Sequence, residues 1–159
     1  MRQGFDVKCA PAGGLALLCR ARTRSCALPL IHVVETMRPL PIVPIAGAPS
    51  FVCGVSLIRG EPTPVVDLGA LLGADGPPSF ARFVTVRAGG RHVALAFEEV
   101  LRLQEIPAES MAALPPLLQG ASQAAVAAVA ALDAGLLFVL DGARALPDTV
   151  WPLLDERPQ

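Results

Sequence analysis

Along this chain, short apolar runs alternate with clusters rich in Gly, Pro, Arg and Asp, and few stretches keep a helical period. Short runs rich in β-branched residues read as strands, and the punctuation between them as tight turns. Leu15 to Cys19 and Cys26 to Ile31 flank the polar bend RARTRS, which predicts one hairpin. Val55 to Ile58 and Val65 to Leu68 flank RGEPTP and predict another. Phe80 to Arg87 and Arg91 to Phe97, on either side of Ala88-Gly89-Gly90, give the cleanest hairpin signal.

The most informative segment is Gly54 to Gly73, GVSLIRGEPTPVVDLGALLG. Arg59 sits at its bend, and Gly60 supplies the positive φ that a turn asks for. Pro62 and Pro64 cannot donate to a ladder, which puts this hairpin at an edge or a sharp corner. Asp67 precedes the helix-period residues Leu68, Leu71 and Leu72 and suits a helix cap, and Gly73 suits its end.

The stretch Ala121 to Leu140 admits two readings. Its alanines favour a helix from Gln123 to Leu132, whereas Val126 to Leu132, Asp133-Ala134-Gly135 and Leu136 to Leu140 read as a hairpin. Its length approaches a membrane span, but Gln123, Asp133 and Gly135 interrupt it, and no membrane insertion is expected. Pro39 to Pro49 holds four prolines and is expected to be an extended connection. Residues 74–79 read as a linker and residues 107–120, with three prolines, as a long loop. Asp141 to Leu146 predicts a short helix capped by Asp141, and Thr149 to Leu154 a last one carrying Trp151. Seven or more short strands with only short helices indicate an all-β fold of barrel type.

Length, 159 residues, indicates one domain or two small subdomains sharing a core. Residues 1–13 read as a mobile leader, 14–147 as the folded domain, and 148–159 as a C-terminal tail or short helix. A net charge of −1 with 17% charged residues gives no electrostatic case for nucleic acid or anionic lipid. Hydrophobic residues make up 53%, so contacts with partners are expected to be apolar.

Chemistry is sparse. Cys9, Cys19, Cys26 and Cys53 form no CxxC pair and have no His at zinc spacing, so they read as free cytosolic thiols and no metal or cofactor is expected. Gly54-Val55-Ser56 lacks the glycine that completes a nucleophile elbow, and Ser56 reads as a strand residue. GALLGADG lacks the lysine of a phosphate loop. His32 and His92 are the only candidate bases, and a small Cys53-dependent enzyme is the remote catalytic alternative. Asp67, Asp133 and Asp141 stand where capping and turn chemistry want them.

Gly54, Val55, Arg59, Gly60, Pro64, Val65, Val66, Asp67 and Leu68 together resemble the signature of the CheW family, the adaptors of bacterial chemotaxis arrays. Ala27-Leu28-Pro29, Val33-Val34-Glu35, Pro49 and Glu98-Glu99-Val100-Leu101 extend the likeness over about residues 14 to 147. The chain departs from the family pattern at Ala46, Leu57 and Glu98. The resemblance favours the hairpin over the helix for Ala121 to Leu140. It implies two small five-stranded SH3-like β-barrels, packed side by side with a core between them and short helices. It further implies a non-catalytic, cytoplasmic adaptor at receptor arrays on the inner face of the membrane. Its partners would be the regulatory domain of a CheA-type histidine kinase and the cytoplasmic tip of a methyl-accepting chemoreceptor. An adaptor of a non-flagellar chemosensory system, in twitching motility or development, is the alternative within the fold. Gly54, Gly60, Pro64, Asp67 and Asp141 would be structural, and Val33, Glu35 and Arg59 would line a receptor groove between the barrels. Glu35 and Arg59 would face each other as a charge-assisted pair, unless they form only an exposed pair with no part in binding.

Overall fold

Two-residue turns set the strand pairing in the computed structural model, which describes residues 14–113, 126–132, 135–141, 144, 146 and 150–155. The described strands are β1 (Gly14–Ala21), β2 (Arg24–Pro29), β3 (Val33–Met37), β4 (Val52–Ile58), β5 (Glu61–Asp67), β6 (Arg82–Ala88), β7 (Arg91–Phe97), β8 (Glu99–Ile106), β9 (Met111–Ala113), β10 (Val126–Leu132) and β11 (Gly135–Leu140). Helix α1 spans Leu68–Leu71 and α2 spans Trp151–Asp155. The strands form a six-stranded sheet, β8-β1-β2-β11-β10-β9, and a five-stranded sheet, β3-β6-β7-β5-β4. The chain begins in the first sheet, builds the whole of the second, and returns through β8. The fold is therefore all-β with two sheets, as expected, and the short β9 gives the first sheet a sixth strand.

Burial on both strand faces explains why so many runs are continuously apolar. On β1, Leu17, Cys19 and Ala21 join a core shared by the two sheets, while Ala16 and Leu18 join a cluster belonging to the first sheet. On β7, Val93, Leu95 and Phe97 face the shared core, and Ala94 and Ala96 face a separate cluster around Phe83 and Ile58. The period of two in the strand thus sorts neighbouring residues into different cores.

The turns are tighter than the polar stretches suggested. RGEPTP contributes only Arg59 and Gly60 to its turn, because β4 and β5 pair all the way out to Ile58↔Glu61. Both turn residues have positive φ, 53° and 82°, the conformation whose twist matches that of paired strands. Arg22, at the turn between β1 and β2, has φ 61°. The hairpin of Ala121 to Leu140 also holds, with Leu132 opposite Gly135. β10 pairs with β9 on one side and β11 on the other, so a sheet on both flanks outweighs alanine's weak preference for helix.

Several expectations change. Ile31 lies in a 3-10 turn, Leu30–His32, after β2 ends at Pro29. Met111 to Ala113 belongs to a strand rather than to the long loop expected over 107–120, and β10 supplies its partner. Leu68 opens α1 instead of ending β5. The leader over 1–13, residues 114–120, and the turn at Asp133-Ala134 lie outside the described residues. So does half of the short helix expected at Asp141 to Leu146, of which Arg144 is in a 3-10 turn whose N–H donates to the Asp141 carbonyl at 3.0 Å.

Candidate functional site

Arg59 and Glu35 meet although 24 residues separate them. The Arg59 Nε donates to Glu35 Oε2 at 2.9 Å and its Nη2 to Oε1 at 2.7 Å, a two-point fork. The fork exists because β3, at one edge of the second sheet, comes close to the turn between β4 and β5, at the other edge. The sheet is curled enough to bring its two ends together. Arg59 is exposed, and its left-handed backbone costs on the order of 1–2 kcal/mol for a residue with a Cβ. That conformation is found here where a guanidinium is held at both ends of its fork. The hydrogen bond from Arg59 holds the Glu35 carboxyl below its usual range, and the same contact raises the arginine.

Beside the fork lies a recess of about 300 Å³, lined by Val34, Glu35, Ile58, Arg59, Glu61, Thr63, Thr85 and His92. It continues past Thr63 and His92 toward Gly90, Arg91 and Trp151. The Arg91 guanidinium lies 4.6 Å from the Trp151 ring centroid. A proline opens this trough. β5 and β7 pair in parallel from Val65↔Ala94 to Asp67↔Ala96. Pro64 has no N–H with which to extend that ladder, so the strands part below it. Toward β4 the same proline costs nothing. Val55, its partner there, spends its own N–H and C=O on Val43 at 2.8 Å each way, so the Val55↔Pro64 pair exchanges no ladder bonds.

The structure divides the residues expected at the groove. Glu35 and Arg59 line one recess built by the second sheet alone, not one between the sheets. Val33 is half-buried against the shared core and does not line it. β3 and β6 pair as Val33↔Val86 and Glu35↔Thr85, so Val34 is the extra residue of a bulge, and Val34 is the one that reaches the recess. Sequence reasoning missed Val34, Glu61, Thr63, Thr85 and His92. Nothing local marked them: on β5, Thr63 is buried while Glu61, two residues earlier on the same strand face, is exposed.

The structural positions have specific tasks. A Cβ on Gly54 would lie 2.2 Å from the Val43 carbonyl oxygen, so only glycine lets the proline-rich connection bridge onto β4. Ser56 fastens the same connection by donating to the Pro41 carbonyl at 2.8 Å. Asp141 lies 3.8 Å from the Arg144 Nε. Of the departures from the family pattern, Leu57 is 67% exposed, Ala46 sits in an exposed turn, and Glu98 is drawn to Arg20 by a backbone bond of 2.9 Å and an ion pair of 3.7 Å.

Asp67 does more than cap. Its Oδ1 accepts from the Ala70 N–H at 3.3 Å, and its Oδ2 takes the Arg22 Nη2 at 2.8 Å. These side chains are only 6% and 11% exposed. Arg22 also donates to the Asp75 carbonyl at 3.1 Å. A Cβ on Gly69 would come within 2.5 Å of the Arg22 side chain, so the glycine makes room for it. A turn of the first sheet is thereby latched to the end of β5 in the second. RARTRS and PVVDLG were visible as motifs, but nothing in their spacing joined them.

Among the described residues, nucleophilic chemistry is disfavoured at the cysteines, Cys19, Cys26 and Cys53. Burial, helped by the Asp67 charge, pushes the Cys53 thiol up to about 11, and burial pushes Cys26 up to about 12, so at neutral pH both stay protonated. Cys19 is raised further for the same reason. Among the described residues no three His, Cys, Asp or Glu side chains are grouped to hold a metal ion. No helix among them is long and apolar enough to cross a membrane.

Comparison with known proteins gives a consistent result. No curated protein sequence matches the chain. Among solved structures, the scaffolding protein TtCheW from Thermoanaerobacter tengcongensis is similar in fold, with a TM-score of 0.72 and 21% identity, over 81% of this chain and 89% of that one. The family model of the CheW-like domain matches residues 15–150, which takes in both sheets, the Glu35–Arg59 fork and the Arg22–Asp67 latch, and the chain belongs to that family.

Proposed function

We propose that this chain is a non-catalytic adaptor of a chemotaxis array that couples chemoreceptor tips to a CheA-type histidine kinase, on the cytoplasmic side of the membrane. The observation that carries the reading is the Glu35–Arg59 fork, which fixes two charged side chains on the rim of a recess in a CheW-like domain. Val34, Glu35 and Arg59 are the residues assigned to receptor contact, with Val33 supporting them from the core. An adaptor changes populations through binding and needs no convergent acid, base or nucleophile, which accords with thiols held in the protonated form.

Reconstitution with kinase and receptor tips from the same cell tests this. Kinase stimulation is expected only when kinase, receptor and this chain are all present, and stimulation without receptor would count against coupling. Arg59→Glu, whose site is exposed, is expected to leave the protein folded and to weaken receptor binding tenfold or more if the fork lies near the centre of the contact. A folded Arg59→Glu protein that binds receptor like the parent removes the fork from the contact. Binding to the kinase of a twitching or developmental system, and not to a flagellar one, would assign the chain to that alternative pathway.

A further inference from the structure

Within the recess the charges are not balanced. Glu35 is matched by Arg59 through both carboxylate oxygens, whereas among the described residues no ion pair reaches the Glu61 carboxylate across the same opening. Two buried hydroxyls complete the polar wall. Thr63 donates to the Glu61 carbonyl at 3.1 Å and Thr85 to the Glu35 carbonyl at 3.3 Å. With their protons committed inward, both oxygens have only lone pairs to offer a visitor. Arg59 is paired with Glu35, so the acceptors left over in the recess are the Glu61 carboxylate and the two hydroxyl oxygens. Ile58 and Val34 provide apolar wall beside it.

We infer that this recess receives a lysine or arginine side chain from the protein partner, its methylene stem against Ile58 and Val34 and its charged head on Glu61 and the two threonine hydroxyls. A volume of about 300 Å³ suits one long side chain rather than a helix or a strand. Such a side chain buries its stem while its head stays near water, and this recess is open at the surface. The identity of the partner as a receptor tip rests on the reading proposed above, but the chemistry of the recess does not. Pro64 maintains the site, since it keeps β7 from closing onto Glu61 and Thr63.

The test separates the two. The ¹⁵N-labelled protein is titrated with n-butylammonium chloride, with 1-butanol and sodium chloride as controls. Saturable shifts are expected at Val34, Glu61, Thr63, Thr85 and His92 with the ammonium alone, and are expected to vanish in Glu61→Gln. Shifts scattered over the surface, or unchanged in Glu61→Gln, overturn the inference. In a second arm, Glu61→Gln is expected to weaken binding of a receptor tip about tenfold without changing the melting temperature. A tip that binds parent and variant equally also overturns the inference. If the parent binds no tip at all, the receptor reading fails while the ammonium titration still decides the recess.

Discussion

Replacing Asp67 with alanine is expected to be among the most damaging single changes in this protein. Asp67 and Arg22 are 6% and 11% exposed, so removing the carboxylate leaves a guanidinium in a site already stripped of water. Breaking a buried pair from one side costs about 3–5 kcal/mol, and losing an N-cap about 1 kcal/mol more. The two losses share one side chain and do not simply add, so a total of about 4–5 kcal/mol is expected. Small domains hold about 5–15 kcal/mol in all, and Asp67→Ala would leave this one near the edge of folding. At about 2–4 °C per kcal/mol for a chain of this size, the melting temperature should fall by roughly 10–20 °C. Urea unfolding measures the loss. Asp67→Asn retains an oxygen for the Ala70 N–H and should lose only the pairing part, about 3 kcal/mol. Adding Arg22→Met to Asp67→Asn removes the stranded charge and should recover stability relative to Asp67→Asn alone. An Asp67→Ala protein that loses less than about 1 kcal/mol, the worth of a surface pair, would refute the idea of a desolvated latch. So would a double variant whose loss is the sum of the two single ones.

Three further outcomes are expected. Glu35 should titrate below the ordinary glutamate value, so its pairing with Arg59 is present above the unfolded-state pKa and lost as pH falls through the lowered folded value. Carboxyl carbon shifts would follow this, with a return toward the ordinary value in Arg59→Gln. Gly54→Ala should displace the connection over Pro39 to Pro49, because its Cβ would stand 2.2 Å from a backbone oxygen, and should cost at least about 1–3 kcal/mol in urea unfolding. Alkylation of Cys53 at pH 7.5 should be slow in the folded protein and fast in urea, since burial holds its thiol up to about 11, and rapid labelling of Cys53 itself, located by peptide mapping, would contradict that burial.

Local chemistry was legible without the fold. The alternation of apolar runs and turn residues marked six of the strands and left β10 and β11 open between hairpin and helix, Gly60 marked a turn, and Asp67 marked a helix start, because each depends on residues within a few positions of one another. The wording from Gly54 to Leu68 was enough to indicate the family. What local pattern missed were contacts that only the assembled sheets create. β3 and β8 carry alternating or exposed residues and become strands because β6 and β1 offer them hydrogen bonds. The resemblance put Val33 beside Glu35 at one groove, whereas a bulge at Val34 leaves Val33 packed against the shared core. Arg22 is one of several arginines in the sequence, and it became the buried partner of Asp67, 45 residues away, only through the packing of one sheet against the other. Pro64 was readable as a residue that cannot extend a ladder, but the ladder it interrupts, with Ala94 at its last rung, exists only in the assembled sheet. Sequence determines what each short segment can do alone. Tertiary structure decides which distant groups meet, and the latch, dehydrated between the sheets, and the recess, open at the surface, are both of that kind.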